Sequence, residues 1–183
     1  KTQIYEMAIV QQMVTPNGGV LAGGNFNQDS RDVVGAPIWA VYFQNVIKYT
    51  HDVMAKTKDL PARSNLFNMA RILQAYAFMI LTDTYGAIPY SEGGAGFTDQ
   101  IFLPKYEQQQ DIYPKLIQEF TEASAALNAA GTVETADLLY AGNIAQWKKF
   151  GYSLLLRAGM RLSKVDATKA QSTVQAAFAA GVI

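Results

Sequence analysis

The sequence predicts an all-α fold of antiparallel helix pairs joined by long loops. Six segments place apolar residues at spacings of three and four, and none sustains an alternation of two. Turn and capping residues bound the segments, and the linkers have lengths that fold consecutive helices back on one another. Stacked pairs of this kind form a solenoid-like array, although no 34-residue tetratricopeptide period is visible in the residues themselves.

The first segment, about 2–14, stops at Thr15-Pro16-Asn17-Gly18-Gly19, where turn chemistry meets a proline block. A long loop, 18–36, follows, rich in Gly, Asn, Asp and Ser; loops of that length inside a domain are functional or mobile. Pro37 suits the first position of the second helix, which carries Ile38, Tyr42, Asn45, Val46, Tyr49 and Val53 on one face. The third helix, about 61–84, is apolar on both sides, with Leu66, Met69, Ala70, Leu73, Ala77, Ile80 and Leu81 opposite Phe67, Ile72, Tyr76 and Phe78. It is therefore predicted to be central. Gly86 supplies a left-handed cap and Pro89 prevents continuation.

The second loop, 90–106, contains Gly93, Gly94 and Gly96, read as a flexible run, with Phe97 and Phe102 beside it. The fourth helix starts near Glu107, buries Ile112, Leu116, Phe120, Ala123 and Leu127, and is closed by Gly131. Asn143 caps the fifth, with Gln146 placed to reach back as in a capping box, and Trp147, Gly151, Leu154, Leu155, Ala158 and Leu162 form its stripe. Asp166 caps a last alanine-rich helix that ends at Gly181. The 183 residues are read as one helical domain.

Composition excludes whole classes of function. Fifteen Lys and Arg balance fifteen Asp and Glu, so the clustered positive charge that nucleic acid or an anionic membrane requires is missing. Cysteine is absent and there is one histidine, which removes disulfides, thiolate metal sites, cysteine nucleophiles and Ser-His-Asp or multi-His chemistry. No metal or cofactor is expected. The apolar runs are too short to span a bilayer, and the first residues lack the apolar core of a signal peptide.

Catalytic constellations are equally weak. His51 and Asp52 are sequence neighbours that cannot share a helix face, so His51 is read as a surface or packed histidine. Asp83 and Glu92 flank the Gly86 turn and could pair for acid–base chemistry, but helix termination and solvation explain them more simply. The glycines at 93, 94 and 96 lack the strand, lysine and hydroxyl of a phosphate loop. Arg71, Arg157 and Arg161 lie on apolar helices and are read as structural ion-pair members, with at least one of the last two drawn inward.

Aromatic residues divide by location. Tyr42, Tyr49, Tyr76, Phe78, Phe120, Trp147 and Phe150 fall in helical stripes and are assigned to the core. Phe26, Tyr90, Phe97, Phe102 and Tyr106 fall in the two loops, where an aromatic ring can either stack on a sugar face or pin its loop to the body.

The blocks Ala70-Arg71-Ile72-Leu73-Gln74-Ala75-Tyr76 and Leu81-Thr82-Asp83-Thr84-Tyr85-Gly86-Ala87-Ile88-Pro89-Tyr90-Ser91-Glu92 resemble the signature of the SusD/RagB family of Bacteroidota outer-membrane nutrient-binding lipoproteins. Asp137-Leu138-Leu139-Tyr140-Ala141-Gly142-Asn143, Trp147-Lys148-Lys149-Phe150, Ser153-Leu154-Leu155-Leu156-Arg157 and Met160-Arg161-Leu162-Ser163 are similar to its second block, particularly in the SusD-like branch. Gln110-Asp111-Ile112-Tyr113, with Ala123 and Leu127, resembles the intervening helix. Gly151-Tyr152 departs from the pattern, which would place Ala-Asn there.

The resemblance covers the amino-terminal half of a typical member, without its signal peptide, lipidated cysteine and carboxy-terminal half. It implies a right-handed tetratricopeptide-like array on the extracellular face of the outer membrane, seated on a SusC-like TonB-dependent transporter. Its expected activity is non-catalytic binding of nutrient oligosaccharides, or of peptides in RagB-like branches; the alternative is a helical scaffold that only docks the transporter. The ligand residues it points to are Asn25, Phe26, Asn27, Asp29 and Arg31 in the first long loop, with Tyr90 and Phe97 in the second.

Overall fold

The computed structural model describes residues 38–183, which fall into two units divided between Asn45 and Val46. In the first, residues 38–45 are helical, with the rings of Trp39 and Phe43 4.6 Å apart. The second holds five helices: α1 (Lys48–Thr57), α2 (Ser64–Tyr85), α3 (Gln109–Ala126), α4 (Ile144–Arg161) and α5 (Ala167–Ala180). No strand is formed among the described residues, only an isolated bridge between Ile88 and Glu107. None of the described helices is long and apolar enough to cross a membrane.

Each helix packs chiefly on the next in sequence, as in tetratricopeptide-like arrays. The direction follows from side-chain partners. Asn65, Arg71 and Asp83 along α2 meet Asn128, Glu119 and Tyr113 respectively, so the partner numbers fall as α2 advances and α3 runs antiparallel to it. Gly159 lies on Thr173 and Ser153 reaches Ile183, which makes α4 and α5 antiparallel too.

The stripes predicted from period are the ones that pack. Along α3 and its cap, Ile112, Leu116, Phe120, Ala123 and Leu127 are all 2% exposed or less. In α4, Trp147, Gly151, Leu154, Leu155 and Ala158 are buried, and Leu162 is only half-buried because the α-helix has given way there to a 3-10 turn. The helix α2 buries residues around much of its circumference, Asn65, Met69, Ile72, Ala75, Phe78, Met79 and Thr82 among them, as its central position requires.

Caps behave locally. Asn143 accepts the backbone N–H of Gln146 at 3.2 Å, and Asp166 that of Lys169 at 2.9 Å. The reciprocal half of the capping box is replaced: the backbone N–H of Asn143 donates to the carbonyl of Tyr140 at 2.9 Å. Gly86 ends α2 at a φ of +76°, a conformation that favours glycine.

Four expectations are corrected by packing. Tyr49 is 57% exposed, and Ile47 is the residue buried at the start of α1. Residues Tyr42–Ile47 form a π-helix, whose wider turn rotates the following face by about one residue. The helix α3 ends at Ala126 rather than at Gly131, because the side chain of buried Asn65 takes over the backbone that follows. Its amide donates to the carbonyls of Asn128 and Thr132 at 2.9 and 3.0 Å and its oxygen accepts the Asn128 N–H at 2.9 Å. Neither Arg157 nor Arg161 is drawn inward: both are exposed, and Arg161 forms its ion pair with Asp83 at 2.9 Å. Finally, the glycine run is packed rather than flexible. A Cβ on Gly93 would stand 2.6 Å from the Pro89 carbonyl, and one on Gly94 3.0 Å from Ile47.

Candidate functional site

The loop after α2 is a closed structure. Its ends are joined by the Ile88–Glu107 bridge, with N–H to O distances of 3.2 and 2.9 Å in the two directions. Glu107 also accepts the Ser91 N–H at 2.6 Å, and Glu92 accepts the Lys105 N–H at 2.8 Å. The carboxylates at 83 and 92 therefore serve architecture separately and do not form a pair: Asp83 is held by Arg161 and by the hydroxyl of Tyr113.

Between this loop, α1, α2 and α3 lies a cleft of about 440 Å³. That volume is within the range of small-ligand sites. Helix α1 contributes His51 and Met54, with Lys58 capping its end; α2 contributes Phe67, Arg71, Gln74 and Phe78 at one face of its helical spacing; the loop contributes Tyr90, Ser91, Thr98 and Asp99; α3 contributes Glu119. Formal charges on the wall balance, with Lys58 and Arg71 against Asp99 and Glu119. Arg71 is clamped by two carboxylates. Its Nε donates to Glu119 at 2.7 Å and one terminal nitrogen to Glu122 at 2.8 Å. Burial works against its charge, but the two carboxylates prevail and hold the guanidinium above its ordinary pKa.

Tyr90 stands against Phe78, ring centroids 4.8 Å apart, with the Lys115 ammonium 5.6 Å from its ring. Burial, reinforced by the negative charges of Glu119 and Glu107, raises its phenol well above the usual tyrosine range. The hydroxyl thus stays protonated at any physiological pH and can donate a hydrogen bond. Across the cleft, His51 Nε2 and Thr98 Oγ1 are 2.8 Å apart, with Asp99 at 3.6 Å from the same nitrogen. Gln74 donates its amide to the Ile47 carbonyl at 3.4 Å.

Aromatic faces, amides and hydroxyls in a charge-balanced wall are the groups that bind a neutral polyol. Of the residues singled out in the sequence, Tyr90 lines this cleft; its ring is both pinned to the body and part of the wall. Phe97 does not line it. It projects 84% exposed into an adjoining hollow, and Phe102 and Tyr106 are exposed on the same loop. Asn25, Phe26, Asn27, Asp29 and Arg31 lie outside the described residues. Phe67, Phe78, Gln74, His51 and Thr98 were not legible as site residues, since their common feature is a meeting of segments up to 47 positions apart. The one trace in sequence was the placing of Phe67 and Phe78 on the second side of an already apolar helix.

The chain and its fold are similar to known proteins. A family model described as SusD-like, starch-binding and associating with the outer membrane matches residues 1–183. A solved chitin-binding protein is similar over 100% of this chain and 39% of its own, at 32% identity and a TM-score of 0.88. A SusD-like protein from Bacteroidetes AC2a is similar over 100% of this chain and 33% of its own, at 30% identity and a TM-score of 0.86. A SusD homologue from Parabacteroides distasonis matches 99% of this chain and 35% of its own, at 27% identity and a TM-score of 0.81. The chain thus spans well under half the length of these structures. No curated protein matches it.

Proposed function

Because the chain belongs to the SusD-like family, we propose that it binds neutral oligosaccharides without catalysis, in the cleft between α1, α2 and the loop closed by Ile88 and Glu107. The observation that carries this reading is the composition of that cleft. Phe67 and Tyr90 offer apolar ring surface, Tyr90 backed by the buried ring of Phe78, while Gln74, Ser91 and Thr98 offer neutral donors and acceptors, and the ionic groups cancel in sign. A sugar ring needs both faces of that chemistry, because its C–H face is apolar and its edge carries hydroxyls. An anionic or cationic ligand would meet no surplus of opposite charge.

The family's description and the resemblance extend the proposal. The protein acts at the outer-membrane surface, held there by a lipid anchor, and hands its ligand to a SusC-like TonB-dependent transporter. The absence of chemistry is supported by the fate of the best acid–base candidates, since Asp83 is engaged by Arg161 and Tyr113, and Glu92 by the Lys105 backbone.

The test is calorimetric titration of the full chain with chito-oligosaccharides and malto-oligosaccharides, alongside Gln74→Ala and Phe67→Ala. Saturable binding that weakens by about tenfold in each variant is expected, this being the worth of one ring contact or hydrogen bond. Binding that both variants leave intact would remove the cleft from the function, and shortened products in the titration mixture would contradict the absence of catalysis.

A further inference from the structure

We propose a second sugar-binding subsite on the outer side of the His51–Thr98 ridge, built on Tyr49 and Phe97, so that one oligosaccharide chain occupies it and the cleft together. The proposal rests on the reading of the cleft as a glycan site and extends it to chain length.

Three observations carry it. The first is continuity. The hollow holding Tyr49, Asp52, Lys56, Gly94 and Phe97 shares Thr98 with the cleft, and His51 and Asp52 are successive residues of α1 on its two sides. At about 250 Å³ it is small for an independent ligand pocket, whose volumes start near ~300 Å³, and of a size to hold part of a longer ligand.

The second is exposure of large rings on a rigid support. Phe97 is 84% and Tyr49 57% exposed. Phe97 is not there through looseness. The turn that carries it is internally bonded, with Asp99 N–H donating to the Ala95 carbonyl at 2.9 Å, Ala95 itself is 2% exposed, and Gly94, at a φ of +86°, packs its backbone on Ile47 and on the Cβ of His51. A phenyl ring held out in water on an anchored turn is the arrangement of a stacking platform.

The third is the polar complement. Asp52 and Lys56 form an ion pair at 2.8 Å beside the rings, giving acceptor and donor groups to sugar hydroxyls, while the Lys48 ammonium lies 5.5 Å from the Tyr49 ring centroid and steadies it. Asp52 and Lys56 cancel, and Lys48, which also lines the hollow, leaves a single positive charge, held over the Tyr49 ring.

The experiment is titration with a length series of chito- and malto-oligosaccharides, from two to seven sugar units, against the full chain, Tyr49→Ala, Phe97→Ala and the conservative Phe97→Tyr. Melting curves establish that each variant is folded. In the unaltered chain affinity should rise about tenfold between the shortest and longest ligands, the worth of one added ring contact. That rise should vanish in Tyr49→Ala and Phe97→Ala and return in Phe97→Tyr. Length dependence that survives in both alanine variants would overturn the subsite while leaving the cleft standing. No binding at any length would overturn the cleft and the subsite together.

Discussion

Gly151 of α4 lies flush against Ser124 of α3: a Cβ built on Gly151 would stand 1.9 Å from the Ser124 hydroxyl oxygen. That oxygen is buried and has no hydrogen-bond partner among the described residues. The pair sets how closely the two helices approach, and it accounts for glycine at position 151.

Gly151→Ala should therefore destabilise the fold by about 2–3 kcal/mol, since the overpacking outweighs the gain of about 1 kcal/mol in helix propensity. Ser124→Ala alone should stabilise by about 1 kcal/mol, because it deletes a buried hydroxyl that gains nothing in return. Combining Gly151→Ala with Ser124→Gly should recover most of the loss. Urea denaturation of the three variants checks this, and equal losses in the single and double Gly151 variants would refute the contact.

Asp137 gathers four donors: the N–H groups of Leu139, Tyr140 and Gly142 at 2.9, 3.2 and 2.9 Å, and the indole of Trp147 at 2.6 Å. Burial pushes the carboxyl up, but the indole and the backbone donors outweigh it and hold its pKa below the ordinary value. A carboxyl depressed on folding adds stability above its unfolded pKa of about 3.9, and that contribution drains away as pH falls through the folded value. Asp137→Ala should cost about 2–3 kcal/mol at pH 7. The difference from the unaltered chain should shrink as pH drops below about 4, measured by denaturation across that range.

Tyr113 and Tyr90 should ionise above the ordinary tyrosine range. Burial raises both, joined at Tyr113 by its hydrogen bond to Asp83 and at Tyr90 by Glu119 and Glu107. Their contribution to stability is whole below the unfolded tyrosine pKa of about 10 and is lost as pH rises toward the folded values. Ultraviolet titration of phenolate should show a late component that shrinks in Tyr113→Phe; a single ordinary wave would contradict the burial.

Asn65 replaces the last turn of α3 with three hydrogen bonds from a side chain 2% exposed. Asn65→Leu should cost about 2–3 kcal/mol by removing the partner of the Asn128 N–H and the Thr132 carbonyl, while the Asn128 carbonyl keeps the Gly131 N–H at 3.0 Å. Hydrogen exchange of the Asn128 amide should speed up in the variant more than that of amides in α5.

Much of this fold is written locally. The periods that bury Ile112, Leu116, Phe120 and Ala123, the caps at Asn143 and Asp166, and the stop at Gly86 each depend on residues within a turn or two, so the chain itself determined the class, the order of helices and most buried stripes. Charge balance and the lack of cysteine likewise need no coordinates.

Tertiary structure decided whatever depends on partners distant in sequence. Asn65 shortens α3 from 63 positions away, Ser124 demands a glycine in another helix, and the π-helical turn before α1 buries Ile47 in place of Tyr49. The cleft itself exists only where His51, Gln74, Tyr90 and Thr98 converge. Periodicity tells which side of a helix is apolar; only the packing of one helix on another tells which ring lies beneath and which is left facing water.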